Sequence, residues 1–148
     1  MNYPIDTIDP SEYPAVVEVW EASVRATHHF LQESDIAFFK PLILNEYLRM
    51  VDLSCIRGDD QRILGFMGVA EGKIEMLFIH PDARGKGIGK TLARHAMEVL
   101  GVTQVDVNED NGQAVGFYEH LGFKTMHRSP LDGLGKPYPI LHMALVTS

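Results

Sequence analysis

Arg84-Gly85-Lys86-Gly87-Ile88-Gly89 joins an apolar run, Ile74 to Ile79, to a stretch whose apolar residues recur at helical spacing. Glycines at 85, 87 and 89 clear side chains from a strand-to-helix turn. Successive backbone N–H groups can then point into one concavity while the start of the following helix opens toward it. Such a turn either binds nothing or cradles a phosphate-bearing ligand. Gly89-Lys90-Thr91 ends like a P-loop, but that motif needs glycine where Arg84 stands, and the dinucleotide fingerprint needs a third glycine where Lys90 stands. What remains is R-x-x-G-x-G, carried by Arg84, Gly87 and Gly89.

Size and charge narrow the classes. With 148 residues and 45% hydrophobic content, the chain can bury a full core, and we read residues 1–148 as one domain. No apolar run approaches the roughly 20 residues that span a bilayer, and Met1 to Pro10 lacks the basic region and apolar core of a signal peptide, so the expectation is a cytoplasmic protein without a membrane partner. The single cysteine, Cys55, excludes an intramolecular disulfide and a Cys-rich zinc site, and no metal is expected. Thirteen basic against twenty acidic residues give a formal charge of −7, which argues against nucleic acid and favours a cationic partner. Against that sign, Arg84, Lys86, Lys90 and Arg94 cluster at the glycine turn, where an anionic ligand would account for them.

Patterning predicts an alternating α/β chain. Tyr3 to Ile8 reads as a first strand, and Pro10, Ser11 and Pro14 open a helix carrying Val16, Val19, Trp20, Val24 and Thr27 on one face, with Trp20 in the core. Ser34-Asp35 can cap a second helix reaching about Met50, which Pro41 can bend. Asp52 to Arg57, Arg62 to Ala70 and Lys73 to Ile79 read as strands joined by tight turns at Gly58-Asp59-Asp60 and Glu71-Gly72. Ile88, Leu92, Ala96 and Val99-Leu100 form the stripe of a helix ending at Gly101. Gln104 to Val107 is a strand, Asn111 to Leu121 a helix stopped by Gly122, and Lys124 to Ser129 and Ile140 to Val146 are the last strands. The order predicts a mixed, mostly antiparallel central sheet with helices on both faces.

Downstream of the glycine turn, Asn108, Asn111, Ala114, Tyr118 and Gly122-Phe123 complete a second constellation. Together the two resemble the GCN5-related N-acetyltransferases, the GNAT family, with the specific part running from about Glu75 to Phe123. Ala26-Thr27-His28, Phe30-Leu31 and Leu134-Gly135-Lys136-Pro137-Tyr138-Pro139 look like its YjaB-type branch. The resemblance implies a sheet with two strands splayed apart and acetyl-CoA lying in the gap. Backbone at Leu77, Phe78 and Ile79 would bond the pantetheine arm, and an N–H near Leu77 would stabilise the oxyanion. Arg84, Gly85, Lys86, Gly87, Ile88, Gly89 and Lys90 would hold the pyrophosphate, and Asn108 and Asn111 the pantetheine amides.

The implied reaction is acetyl transfer from acetyl-CoA to a primary amine by direct attack in a ternary complex, the acceptor being a small amine or a protein lysine or N-terminal amine. Tyr118 is the expected general acid, and Glu75, ahead of Asp106, the base. His28, Phe30 and Tyr138 are expected at the acceptor site; His29 is a further polar candidate, and Lys136 and His142 are expected in the loop and strand that close it. Each has a plainer reading: Tyr118 as a packing residue, Asn111 as a helix cap, Glu75 as a solvent-facing strand position. The rival function is a CoA-binding sensor without turnover. Either a monomer or a homodimer is compatible with the sequence.

Overall fold

The computed structural model describes residues 3–146; Met1, Asn2, Thr147 and Ser148 lie outside it. Four helices, α1 (Tyr13–Thr27), α2 (Glu33–Asn45), α3 (Ile88–Glu98) and α4 (Gly112–His120), pack on a six-stranded sheet. Its strands are β1 (Asp52–Arg57), β2 (Ile63–Ala70), β3 (Lys73–Ile79), β4 (Gln104–Asn108), β5 (Phe123–Ser129) and β6 (Ile140–Leu145), in the order β1-β2-β3-β4-β6-β5. Only β3 and β4 run parallel; the other neighbours are antiparallel.

The two-residue period of the strands divides the core into two layers. Cys55 and Phe66 face α1 and α2 with Val16, Trp20, Val24 and Ile36, while Ile56 and Met67 face the other way onto Ile88, Leu92 and Ala96 of α3 and Tyr118 of α4. On β3 this period is interrupted. Gly68 pairs with Met76 and Val69 with Ile74, so Glu75 is an extra residue with no partner on β2. A bulge of this kind bends its strand. The parallel pairing with β4 involves only Lys73↔Gln104 and Ile74↔Val105, and past Ile74 the edge of β3 that faces β4 is unpaired.

Several boundaries differ from the sequence reading. Tyr3 to Ile8 is not a strand but a single antiparallel bridge, Asp6 to Cys55, with both N–H···O bonds at 2.9 Å. Pro4 has no N–H to extend it, and the Asp6 carboxylate turns to Thr7 N–H and Arg57 instead. A 3-10 turn, Pro10–Glu12, precedes α1. Helix α2 is capped by Gln32, with the Asp35 carboxylate returning to the Gln32 N–H, and it ends at Asn45 before a separate 3-10 turn, Tyr47–Met50. Pro41 lies inside α2. Val99 and Leu100 fall beyond the end of α3 and are exposed, so the buried stripe stops at Ala96.

Gly65 on β2 lets the end of β3 and the start of α3 close on each other. A Cβ there would lie 2.7 Å from Ile79 Cδ1, 3.0 Å from Ile88 Cγ2 and 3.3 Å from the Phe78 carbonyl oxygen. Gly65→Ala is therefore expected to cost about 1 to 3 kcal/mol in urea unfolding, the usual range for overpacking a filled site.

Candidate active site

Three cavities meet along β3. The largest, about 650 Å³, lies between α1, α2 and the end of the β2–β3 hairpin, and its lining includes Trp20, Phe39, Tyr47, Phe78 and Tyr138 with the carboxylates Glu71, Glu75 and Asp132. A narrow cleft of about 140 Å³ occupies the gap between β3 and β4, walled by Glu75, Leu77, Asp106, Asn108, Asn111 and Tyr118. The third, about 250 Å³, runs from that gap to the glycine turn and touches Ile79, Arg84, Gly89, Gln113 and Tyr118. His28 and Phe78 line all three.

At the turn, Gly85 and Gly87 have φ of 78° and 79°, in the left-handed region where glycine is unstrained, and the space where a Cβ would stand is open at both. Gly87 is the N-cap of α3 and supplies no side chain to bond the first-turn amides. Lys86, Lys90 and Arg94 are exposed and, among the described residues, form no ion pair. Arg84 donates to the Gln113 side-chain oxygen of α4, which joins the turn to the helix that carries Tyr118. Uncapped amides, open space and unpaired cations fit a pyrophosphate.

Tyr118 is only 6% exposed and borders two of the cavities. Burial alone pushes its pKa well above the ordinary phenol value, so it keeps its proton at neutral pH. Asn111 caps α4, its side-chain oxygen accepting from Ala114 N–H at 3.2 Å. Asn108 lines both the narrow cleft and the large cavity.

The two expected bases stand differently. Glu75, at the bulge, faces both the large cavity and the narrow cleft; its nearest cation is Lys73 Nζ at 4.0 Å, and its desolvation raises the carboxyl pKa above the ordinary value although the side chain remains 38% exposed. Asp106 has both oxygens engaged, one accepting from Lys73 Nζ at 3.0 Å and one 2.8 Å from His142 Nδ1. That pairing leaves neither Asp106 oxygen without a partner. His142 sits on β6 between Asp106 and Ser129, stacked on His127, and does not line the large cavity.

His28 ends α1, 9% exposed, with its ring against Phe30 at 5.2 Å and Phe78 at 6.1 Å. Phe30 does not line the large cavity; it braces His28 and Tyr138 from behind, at 5.7 Å from the latter. Tyr138 and Lys136 both donate to Asp35, which fixes the loop before β6 over the start of α2. His29 is exposed. The sequence reading passed over Glu71, Asp132, Trp20 and Asp35 as site residues. Trp20 was legible only as core, and Asp35 only as a cap.

Burial pushes the His28 pKa down to about 4 from 6.5, with His29 adding a smaller repulsion. Because the folded value is depressed, its contribution to stability is full above pH 6.5 and is lost as pH falls toward 4. Over that window the wild-type protein should lose up to about 3 kcal/mol more stability than His28→Gln, read from urea midpoints at each pH.

A family model described as an acetyltransferase (GNAT) domain matches residues 53–125. Peptidyl-lysine N-acetyltransferase YjaB of Salmonella typhimurium is 41% identical over 128 residues, covering 86% of this chain and 88% of that protein. The solution structure of apo-form YjaB from Escherichia coli superposes with a TM-score of 0.87 at 37% identity over the whole of both chains. The PaiA N-acetyltransferase of Thermoplasma acidophilum, solved in complex with coenzyme A, shares the fold with a TM-score of 0.73 at 22% identity, covering 99% of this chain and all of that one. The chain belongs to the GNAT family of N-acetyltransferases.

Proposed function

We propose that residues 1–148 work as one domain that transfers an acetyl group from acetyl-CoA to the ε-amino group of a lysine in a polypeptide. The observation that carries this reading is the unpaired edge of β3 past Ile74, which has the glycine turn at one end and the Tyr118 hydroxyl beside it. The lysine assignment rests on the YjaB name and on the large cavity, whose aromatic walls and three carboxylates suit an aliphatic chain ending in a cation.

Bound acetyl-CoA supplies a thioester carbonyl as the acyl donor. Backbone at Leu77, Phe78 and Ile79 would bond its pantetheine arm as an added strand does, and an N–H near Leu77 would stabilise the oxyanion. Residues 84–90 would hold the pyrophosphate, and the Asn108 and Asn111 side chains would meet the pantetheine amides. Glu75 draws the proton from the incoming ammonium through water, and its raised pKa brings it nearer to the working pH. Tyr118, a phenol that stays protonated at working pH, would hold the proton that the departing sulfur needs.

The test is an assay of CoA thiol release with lysine-containing peptides, read in parallel by mass spectrometry over a salt series. Lysine peptides should be acetylated with kcat/KM falling as salt rises, because the attraction between a cation and an acidic mouth is screened. Binding of acetyl-CoA with no thiol release from any amine would instead favour a sensor. Tyr118→Phe should bind acetyl-CoA normally and turn over about 100-fold more slowly. Glu75→Gln should lower the rate and remove the acid limb of the pH profile; turnover within threefold of wild type in either variant removes that residue from the mechanism.

A further inference from the structure

The end of α1 reaches the start of α4 through a chain of hydrogen bonds whose directions are fixed by chemistry. Thr27 Oγ1 lies 2.9 Å from the Ser23 carbonyl oxygen and 2.7 Å from His28 Nδ1. A carbonyl can only accept, so the single hydroxyl proton of Thr27 goes to Ser23, and the Thr27 oxygen must accept from His28. The proton of the neutral imidazole is therefore on Nδ1, which leaves a lone pair on Nε2. That lone pair faces Asn111 Nδ2 at 3.4 Å. The Asn111 amide cannot be turned over, because its oxygen already accepts from Ala114 N–H. Its nitrogen thus gives one proton to His28 and keeps the other for the cleft that it lines.

We infer that His28 is a positioning residue: held as the Nδ1–H tautomer by Thr27, it aims the Asn111 amide from across the cleft, at the junction of the acceptor cavity with the gap between β3 and β4. This rests on the acetyl-CoA reading of that gap. Protonation would place a donor on Nε2 opposite the donor on Asn111 and break the link, and the burial of the ring keeps it neutral at physiological pH. The titratable and charged groups around it are His29 at its own helix end and, lining the same cavities, Tyr47, Glu71, Glu75 on β3, Arg84 at the glycine turn, Asp106 on β4, Tyr118 on α4, and Asp132 and Tyr138 from the loop before β6.

The experiment has two arms. Nitrogen-15 NMR of the imidazole, without cofactor, should show Nδ1 protonated and Nε2 bare from pH 5.5 to 8. An Nε2–H tautomer or an imidazolium in that range overturns the inference whatever the protein does with acetyl-CoA. In the second arm, His28→Phe keeps the ring contacts with Phe30 and Phe78 but has no acceptor, whereas His28→Gln can return an oxygen to Asn111. KM for acetyl-CoA should rise about tenfold in His28→Phe, the scale of one lost hydrogen bond, with kcat changed much less, and His28→Gln should recover to within about threefold of wild type. Equal KM values in wild type and His28→Phe overturn the positioning role. A wild-type protein that takes no acetyl-CoA overturns the acetyl-CoA reading, and with it this one.

Discussion

One unpaired residue, Glu75, sets the geometry on which the site depends. The bulge it makes on β3 ends the pairing with β4 after two residues, and the gap that follows is what the cavities open into. A regular β3 would stay hydrogen-bonded to its parallel neighbour, and no backbone edge would be left for a ligand to join. The same insertion resets the alternation of side chains. Ile74 and Leu77, three apart, both pack toward α3 and α4, while Met76 and Phe78 turn to the α1 and α2 layer. The core is therefore closed on both faces of a strand that is open at its edge.

Charge and burial then divide the labour along that edge. The cations of the glycine turn stand at one end and the carboxylates Glu71, Glu75 and Asp132 at the other, so the two signs of charge are held apart along β3 within a chain of net charge −7. Between them lie two buried polar side chains that are uncharged at pH 7, the Tyr118 phenol and the His28 imidazole. Desolvation shifts the first further up and the second down; the phenol would be neutral at pH 7 in any case, whereas the imidazole owes its neutrality below pH 6.5 to burial, and one can donate while the other accepts.

What the sequence disclosed follows from how local each signal is. The glycine turn, the Asn111 cap, the Glu71-Gly72 hairpin with φ of 52° and 77°, and the helix carrying Tyr118 are all specified within a few residues of chain, and the structure has them where the spacing put them. Tyr3 to Ile8 alternates like a strand, but whether it pairs depends on distant Arg57 and Cys55, and there it makes one bridge. Val99 and Leu100 continue a helical stripe beyond the point where the helix stops. Asp106 and Glu75 look alike as strand carboxylates. Only the fold shows that one is held by Lys73 and His142, from β3 and β6, while the other stands at the bulge. The Thr27–His28–Asn111 chain joins residues 83 positions apart and leaves no mark in spacing at all.

The central claim is that the open edge of β3 and the start of α3 form one acetyl-CoA site. Amide hydrogen exchange on the protein with and without acetyl-CoA tests it most directly, because it reports backbone groups rather than side chains. The account predicts new protection concentrated in residues 76–79 and 85–90, with β1, β2 and β5 unchanged. Protection that appears elsewhere, or a β3 edge that exchanges equally fast in both states, would contradict it.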